Sequence, residues 1–323
     1  MAGFPHQRDG VLYLTEGGQE TELMYKHGHE LPEFAMYPLL DDPAAVTDLR
    51  DMYTRYLEVA AACGLVPLMG GLDYRASPDW AGKLGISPAQ LVEFQLRAVE
   101  FLRDVARPFA GEVPEVLFVG IVGPRGDAYG QDRTITADEA EDYHSVQITS
   151  LKEAGVDLVS AMTFNSVPEA IGVARAAAGA HLPLSMSFMV NHSGRVLTGL
   201  TLQDAVESVD LGTGEARPDF YGINCSHPDE FAPALTPGPW LERLRSVRPN
   251  ASRADKQLLC QIGHLQAGDA QELGCQVVDL SRRLPHLDVF GGCCGTWDDH
   301  LRATAQQLQS QAADAGSFVP SPA

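Results

Sequence analysis

Apolar and polar positions along this chain follow two alternating periods. Short apolar runs at 11–14, 65–69, 116–122, 156–161, 184–190, 220–224, 257–262 and 287–290 have the length and composition of strands. Between them lie longer stretches whose apolar residues recur every three or four positions. Over 44–63, Leu49, Met52, Tyr53, Tyr56, Leu57 and Ala60 fall on one helical face. The same spacing predicts helices over 88–106, 136–154, 168–178, 202–209, 269–283 and 297–311, with short helical pieces between 228 and 247. Ser87 before Pro88, and Thr136 three residues before Glu139, supply helix starts: a hydroxyl accepts otherwise free N–H groups, and a side chain can reach back.

Eight strand-then-helix units favour a parallel sheet with helical crossovers, and eight of them predict a closed (β/α)₈ barrel. An open doubly wound sheet would carry a phosphate-binding G-x-G-x-x-G turn after its first strand. Gly17-Gly18-Gln19-Glu20-Thr21 is not one. The 31 glycines and 21 prolines are scattered and mark no linker, so a single domain over 11–312 is expected. Residues 1–10 read as an N-terminal extension, and 313–323, small, polar and proline-bearing, as a flexible tail.

Composition narrows the function. A net charge of −20 provides no basic face for nucleic acid, and it leaves the oligomeric state open. No stretch approaches the ~18 apolar residues of a membrane span. The first residues lack the apolar core of a secretion signal. Six cysteines, at 63, 225, 260, 275, 293 and 294, are too sparse for a disulfide framework, and a reducing cytoplasm is the expected compartment.

In a barrel the C-terminal strand ends carry the chemistry. Glu16, Gly70, Gly123, Thr163, Asn191, Asn224-Cys225, Gly263-His264 and Gly291-Gly292-Cys293-Cys294 all fall at predicted strand ends. Cys225 follows the sixth strand and Cys293-Cys294 the eighth. Three thiols at two strand ends match a catalytic zinc, which takes three soft ligands and keeps its fourth corner open. The competing reading is a vicinal pair that is inert or forms a redox disulfide. Cys63, Cys260 and Cys275 lack this context and are expected to pack. For His227 and His300, a satisfied structural histidine competes with a place near the metal or the donor.

The segments Gly291-Gly292-Cys293-Cys294-Gly295 and Asn224-Cys225 resemble the homocysteine S-methyltransferase family, and the likeness runs from about Leu12 to about Leu308. The resemblance implies a (β/α)₈ barrel and a zinc ion on Cys225, Cys293 and Cys294. It also implies transfer of a methyl group from a sulfonium or quaternary ammonium donor to a zinc-bound thiolate. Glu16-Gly17-Gly18-Gln19-Glu20-Thr21-Glu22-Leu23 is similar to the family's first-strand segment, with Glu16 in place of its usual Asp. Tyr74-Arg75-Ala76-Ser77 is similar to a segment whose tyrosine takes the fourth zinc corner in some members, and Gly120-Ile121-Val122-Gly123-Pro124 to the third-strand segment. Glu16, Gly17, Gly18, Tyr74, Thr163, Asn191 and Asn224 are thereby expected around the substrates, with His227 and His300 in the metal surroundings or at the donor. One departure stands out. The family's Glu-Thr pair after the fourth strand, whose Glu helps hold the homocysteine ammonium, is Met162-Thr163 here. A methionine cannot take that role, so a different thiol or donor is the alternative. The chain is too short to add a cobalamin or folate module, and neither is expected as a built-in group.

Overall fold

Eight short parallel strands close on one another in chain order in the computed structural model, which describes residues 4–130, 135–254, 264 and 266–314. They are β1 (Tyr13–Leu14), β2 (Val66–Met69), β3 (Leu117–Val122), β4 (Leu158–Phe164), β5 (Leu184–Phe188), β6 (Phe220–Asn224), β7 (Leu244–Arg248) and β8 (Val289–Phe290). The seam pairs Tyr13 with Val289 and Leu14 with Phe290. Parallel neighbours require crossovers. These are α1 (Pro43–Ala62), α2 (Pro88–Ala106), α3 (Ala137–Ala154), α4 (Val167–Gly179), α5 (Leu202–Thr213) and α6 (Ala270–Arg283), and α7 (Asp298–Asp314) follows the last strand. The β6–β7 crossover uses short turns instead, at Pro228–Phe231, Ala232–Ala234 and Pro239–Arg243.

Local chemistry sets these boundaries. Ser87 and Gln90 form a reciprocal capping box at α2, and Thr136 and Glu139 another at α3. Asp42 caps α1 by accepting the Ala44 N–H at 2.9 Å. α3 stops at Gly155, whose φ of 76° suits a residue without Cβ. The predicted face of α1 is the buried one: Leu49, Met52, Tyr53, Tyr56, Leu57 and Ala60 all pack beneath it.

Strand alternation divides the core into two layers. Tyr13, Leu68, Val119, Ile121, Leu158, Phe220 and Val289 cluster together, and a larger shell fills the space between strands and helices. On β3, a Cβ at Gly120 would come within 2.6 Å of Leu151 on α3. At the N-terminal ends of the strands, the Phe4 ring lies 4.9 Å from Tyr13 and 6.1 Å from Phe220, and Arg245 donates to the Pro5 carbonyl.

The seventh strand is not where the apolar pattern put it. The pattern points to 257–262, which lies outside the described residues, as do Cys260 and Gly263. The strand is Leu244–Arg248, within the stretch expected to form helical pieces. The cause is electrostatic. Two arginines in five residues hide an entirely buried strand, because each is neutralised across the barrel. Arg245 pairs with Asp288 at 2.6 Å and Arg248 with Glu16 at 3.2 Å.

Packing of α3 on α4 depends on Gly172, where a Cβ would sit 2.4 Å from Ala140 Cβ and 2.5 Å from the Ala137 carbonyl oxygen. Gly172→Ala is expected to cost about 1–3 kcal/mol in urea unfolding. Gly82→Ala, with open space around it, is expected to be neutral or to add up to ~1 kcal/mol. Equal midpoints for the two variants would contradict this account of the packing.

Candidate active site and metal centre

The rim is assembled by backbone contact between loops. After β1, the Gly18 N–H donates to the Thr296 carbonyl at 2.8 Å, and after β8, the Gly292 N–H donates to the Glu16 carbonyl at 2.9 Å. A Cβ on Gly18 would come within 2.4 Å of the Cys293 carbonyl oxygen, so only glycine lets the two loops meet. The Cys293 N–H reaches the Pro249 carbonyl at 2.9 Å, and the Cys225 N–H the Arg248 carbonyl at 3.2 Å. The ends of β6, β7 and β8 are thus tied together.

Two side-chain-bearing residues at this rim have left-handed backbone, Thr163 at φ 65° and Cys225 at φ 54°. Each such residue costs on the order of 1–2 kcal/mol and persists only where its surroundings impose it. Asn224 holds the first, and the Cys225 N–H is held by the Arg248 carbonyl. The Asn224 Oδ1 accepts the Thr163 N–H at 2.8 Å and its Nδ2 donates to Thr163 Oγ1 at 2.9 Å. The β4–β5 register shifts at this point, between Ala161 and Phe164.

The outcome is a cluster of sulfurs. The Sγ atoms of Cys225, Cys293 and Cys294 all lie within 4.8 Å of one another, with Cys225 and Cys294 at 3.8 Å. Asn224 Nδ2 approaches Cys293 Sγ at 4.0 Å, and the Tyr129 hydroxyl stands 2.9 Å from Cys225 Sγ. Hydrogen bonding to Cys225, then burial and the charge of Cys225, pushes the Cys293 thiol up to about 12, against a lowering by Cys294 and Arg248. Hydrogen bonds to Cys225 and Cys293, followed by burial, hold Cys294 well above the usual thiol range. Three thiolates this close repel one another, and a cation among them removes the obstacle to ionisation. Three soft donors at one point, with a hydroxyl beside them, fit a soft divalent metal ion.

Above the sulfurs opens a cavity of about 280 Å³. The three cysteines line it together with Gly17, Gly18, Tyr74, Thr163 and Asn224. Glu16 is not part of this wall. It is 3% exposed, paired with Arg248 at 3.2 Å, and accepts the Gly70 N–H. Burial raises its carboxyl, and Arg248 opposes that rise. Asn191 closes a turn instead, its Oδ1 accepting the N–H groups of Ser193 at 2.9 Å and Arg195 at 3.2 Å. His227 caps the short helix at Pro228–Phe231, with Nδ1 accepting the Asp229 N–H at 3.2 Å. His300 Nε2 lies 2.7 Å from the Ala267 carbonyl, while its Nδ1 accepts the Trp297 N–H at 3.3 Å. Burial lowers both imidazoles, and neither lines the cavity. Cys63 packs in the core, whereas Cys275 is exposed on α6.

The wall also carries charged and hydroxyl-bearing residues that were not singled out in the sequence, among them Glu20, Arg75, Tyr129 and Arg248. Arg248 donates from Nε to the Gly292 carbonyl and from Nη1 to Met162 Sδ, both at 3.2 Å. The Met162 wall therefore abuts a cation. Burial, aided by charge on Cys293 and opposed by Arg248 and Arg75, pushes the Glu20 carboxyl up to about 7. Tyr74 is turned toward Thr163, and the hydroxyl at the cysteines belongs to Tyr129. Glu20 and Arg75 sit inside the segments that carry the family likeness, so their charge was the available signal. Tyr129 lies in a polar loop without one.

The family model for homocysteine S-methyltransferase matches residues 13–308 of this chain. A homocysteine S-methyltransferase of Escherichia coli (strain K12) is 24% identical over 226 residues, spanning 66% of this chain and 69% of the relative. Crystal structures of the homocysteine methyltransferase MmuM from Escherichia coli share the fold. The oxidized form superposes with a TM-score of 0.72 and the metallated form with 0.71, both at 21% identity and covering 93% of this chain and 97% of theirs.

Beneath the rim, Asp73 is 4% exposed and accepts the Ile121 N–H at 3.1 Å. Burial first, with the Glu16 charge adding to it, pushes its carboxyl up to about 7. A carboxyl raised on folding stabilises fully below its unfolded range, and that stability is lost as pH rises through the folded value. Urea midpoints are therefore expected to fall between pH 5 and pH 8. Asp73→Asn is expected to flatten that fall by on the order of 2–4 kcal/mol. Superimposable pH profiles for the variant and the parent would rule this origin out.

Proposed function

The chain belongs to the homocysteine S-methyltransferase family, and we propose on that footing that it moves a methyl group from a sulfonium or quaternary ammonium donor to homocysteine or a similar small thiol, with zinc as its metal. It is a methyltransferase, and the reading of its chemistry is carried by one observation: three sulfurs within 4.8 Å of one another at the open end of a barrel. Cys225, Cys293 and Cys294 would hold the ion. Zinc, when bound, would keep a thiol in its open corner deprotonated near neutral pH.

The remaining work belongs to the chain's own groups. Asn224 fixes the left-handed turn at Thr163 on the cavity wall, and its amide reaches Cys293 at 4.0 Å. Tyr129 stands against Cys225 and covers the sulfurs until an acceptor enters. Tyr74 and Thr163 wall the space in which donor and acceptor must align for in-line transfer. A ring of thiolates favours a cationic donor over a neutral one. The acceptor and the donor are small molecules. No helix among the described residues is long and apolar enough to cross a membrane.

A second reading, the same centre acting on another thiol, is favoured by one contact. Arg248 against Met162 replaces an ammonium-holding carboxylate with a cation beside a thioether. Turnover of homocysteine against a panel of other thiols separates the two.

Metal analysis of the full chain is expected to give about one zinc per chain. Cys293→Ser is expected to lose the metal and to lower methyl transfer by more than about a hundredfold, beyond the ~10–100-fold typical of outer-shell changes. Full activity in metal-free protein would end the proposal.

A further inference from the structure

A buried histidine–glutamate pair lies behind the cavity wall, outside the chemistry described so far. His144 on α3 is fully buried and Glu169 on α4 is 4% exposed, and neither lines the cavity. Glu169 Oε1 stands 3.0 Å from His144 Nε2 and accepts the Arg125 N–H at 2.6 Å. With its proton on Nε2, His144 donates to Glu169 and leaves Nδ1 bare, and that atom has no partner among the described residues. A buried polar atom left unpaired is costly. The fold accepts that cost at the place where the pair reaches out to the loop after β3.

That loop, residues 123–130, is held from two flanks. On the side of β2, the Gly123 N–H donates to the Tyr74 carbonyl at 3.1 Å, Trp80 Nε1 to the Pro124 carbonyl at 3.4 Å, and Arg75 Nη1 to the Gly126 carbonyl at 3.2 Å. On the side of β4, Glu169 takes the Arg125 N–H, and Asn165, 2% exposed, donates from Nδ2 to the Ala128 carbonyl. Asp127 closes the tip. Its Oδ1 accepts the Tyr129 N–H at 2.9 Å, and its carbonyl accepts the Gly130 N–H at 3.0 Å. The loop ends with the Tyr129 hydroxyl 2.9 Å from Cys225 Sγ. Cys225 is 2% exposed, whereas Cys293 and Cys294 are partly exposed.

We propose that Glu169 and Asn165 are positioning residues for Tyr129: they anchor the 123–130 loop from behind, and the anchored loop keeps the Tyr129 hydroxyl on Cys225. Neither residue touches the cavity, so each acts only through the segment it holds. The two anchors grip Arg125 and Ala128, on either side of the Asp127 tip, and a loop with fewer buried bonds opens more often. Access to Cys225 is thereby set from the start of α4 rather than from the loops that carry the cysteines. The assignment goes beyond the methyl-transfer reading and holds for any thiol or donor at the centre.

The test is the initial rate at which trace iodoacetamide alkylates each cysteine of the full chain in the presence of a chelator, read by peptide mass spectrometry. Glu169→Ala is expected to speed alkylation of Cys225 by about 10- to 100-fold and Asn165→Ala by about 10-fold, while Cys63, 3% exposed beneath α1, stays as slow as in the parent. Glu169→Gln keeps an oxygen for both donors and is expected to remain within about threefold of the parent. Tyr129→Ala bares Cys225 by itself, and adding Glu169→Ala to it is expected to change the rate by less than about twofold, because the two act through one contact. If Glu169→Ala loosens the whole fold, Cys63 reports it and Asn165→Ala decides. Unchanged Cys225 in both alanine variants would overturn the assignment. So would a full further increase on top of Tyr129→Ala, or a rise at Cys63 in step with Cys225 in both variants.

Discussion

Thiolates do not gather unaided, and the architecture of this rim answers that constraint. Hydrogen bonding within the cluster and burial push the Cys293 and Cys294 thiols up, away from ionisation. The rim around it uses backbone geometry that side-chain-bearing residues avoid, at Thr163 and Cys225, and the Asn224 amide anchors the Thr163 turn.

A second pattern of charge runs around the cluster. Glu16 and Arg248 neutralise each other beneath the cavity, as Asp288 and Arg245 do lower in the barrel. These pairs let polar side chains fill the interior without leaving a bare charge. Arg75 and Glu20, on the cavity wall, break the pattern, since neither joins an ion pair among the described residues.

Much of this was legible in the sequence because it rests on local rules. Capping boxes at Ser87 and Thr136 and the apolar face of α1 fix elements that fold as read. The Gly-Gly-Cys-Cys-Gly segment announced its turn because glycine alone tolerates the contacts of Gly18 and Gly292. What stayed hidden depends on partners distant in the chain. β7 looked polar until Arg245 and Arg248 met their carboxylates. Glu16, nearer the strand, seemed the natural substrate acid, but the chain turns and leaves Glu20 facing the cavity. Asn191, His227 and His300 sit just beyond strands or beside them, yet each spends its polar atoms on a turn or helix start. Proximity to a rim in sequence does not say which way a side chain points.

The seam of the barrel joins the first strand to the last, and the loop carrying Cys293 and Cys294 is seated on Gly18 and Glu16 at that same seam. During synthesis the chain therefore exposes Cys225 well before its two fellow ligands leave the ribosome, and the place that receives them waits empty at the opposite end of the polypeptide. On the proposed reading, metal capture would come late in folding: a product cut short before residue 293 would carry Cys225 without its two fellow ligands.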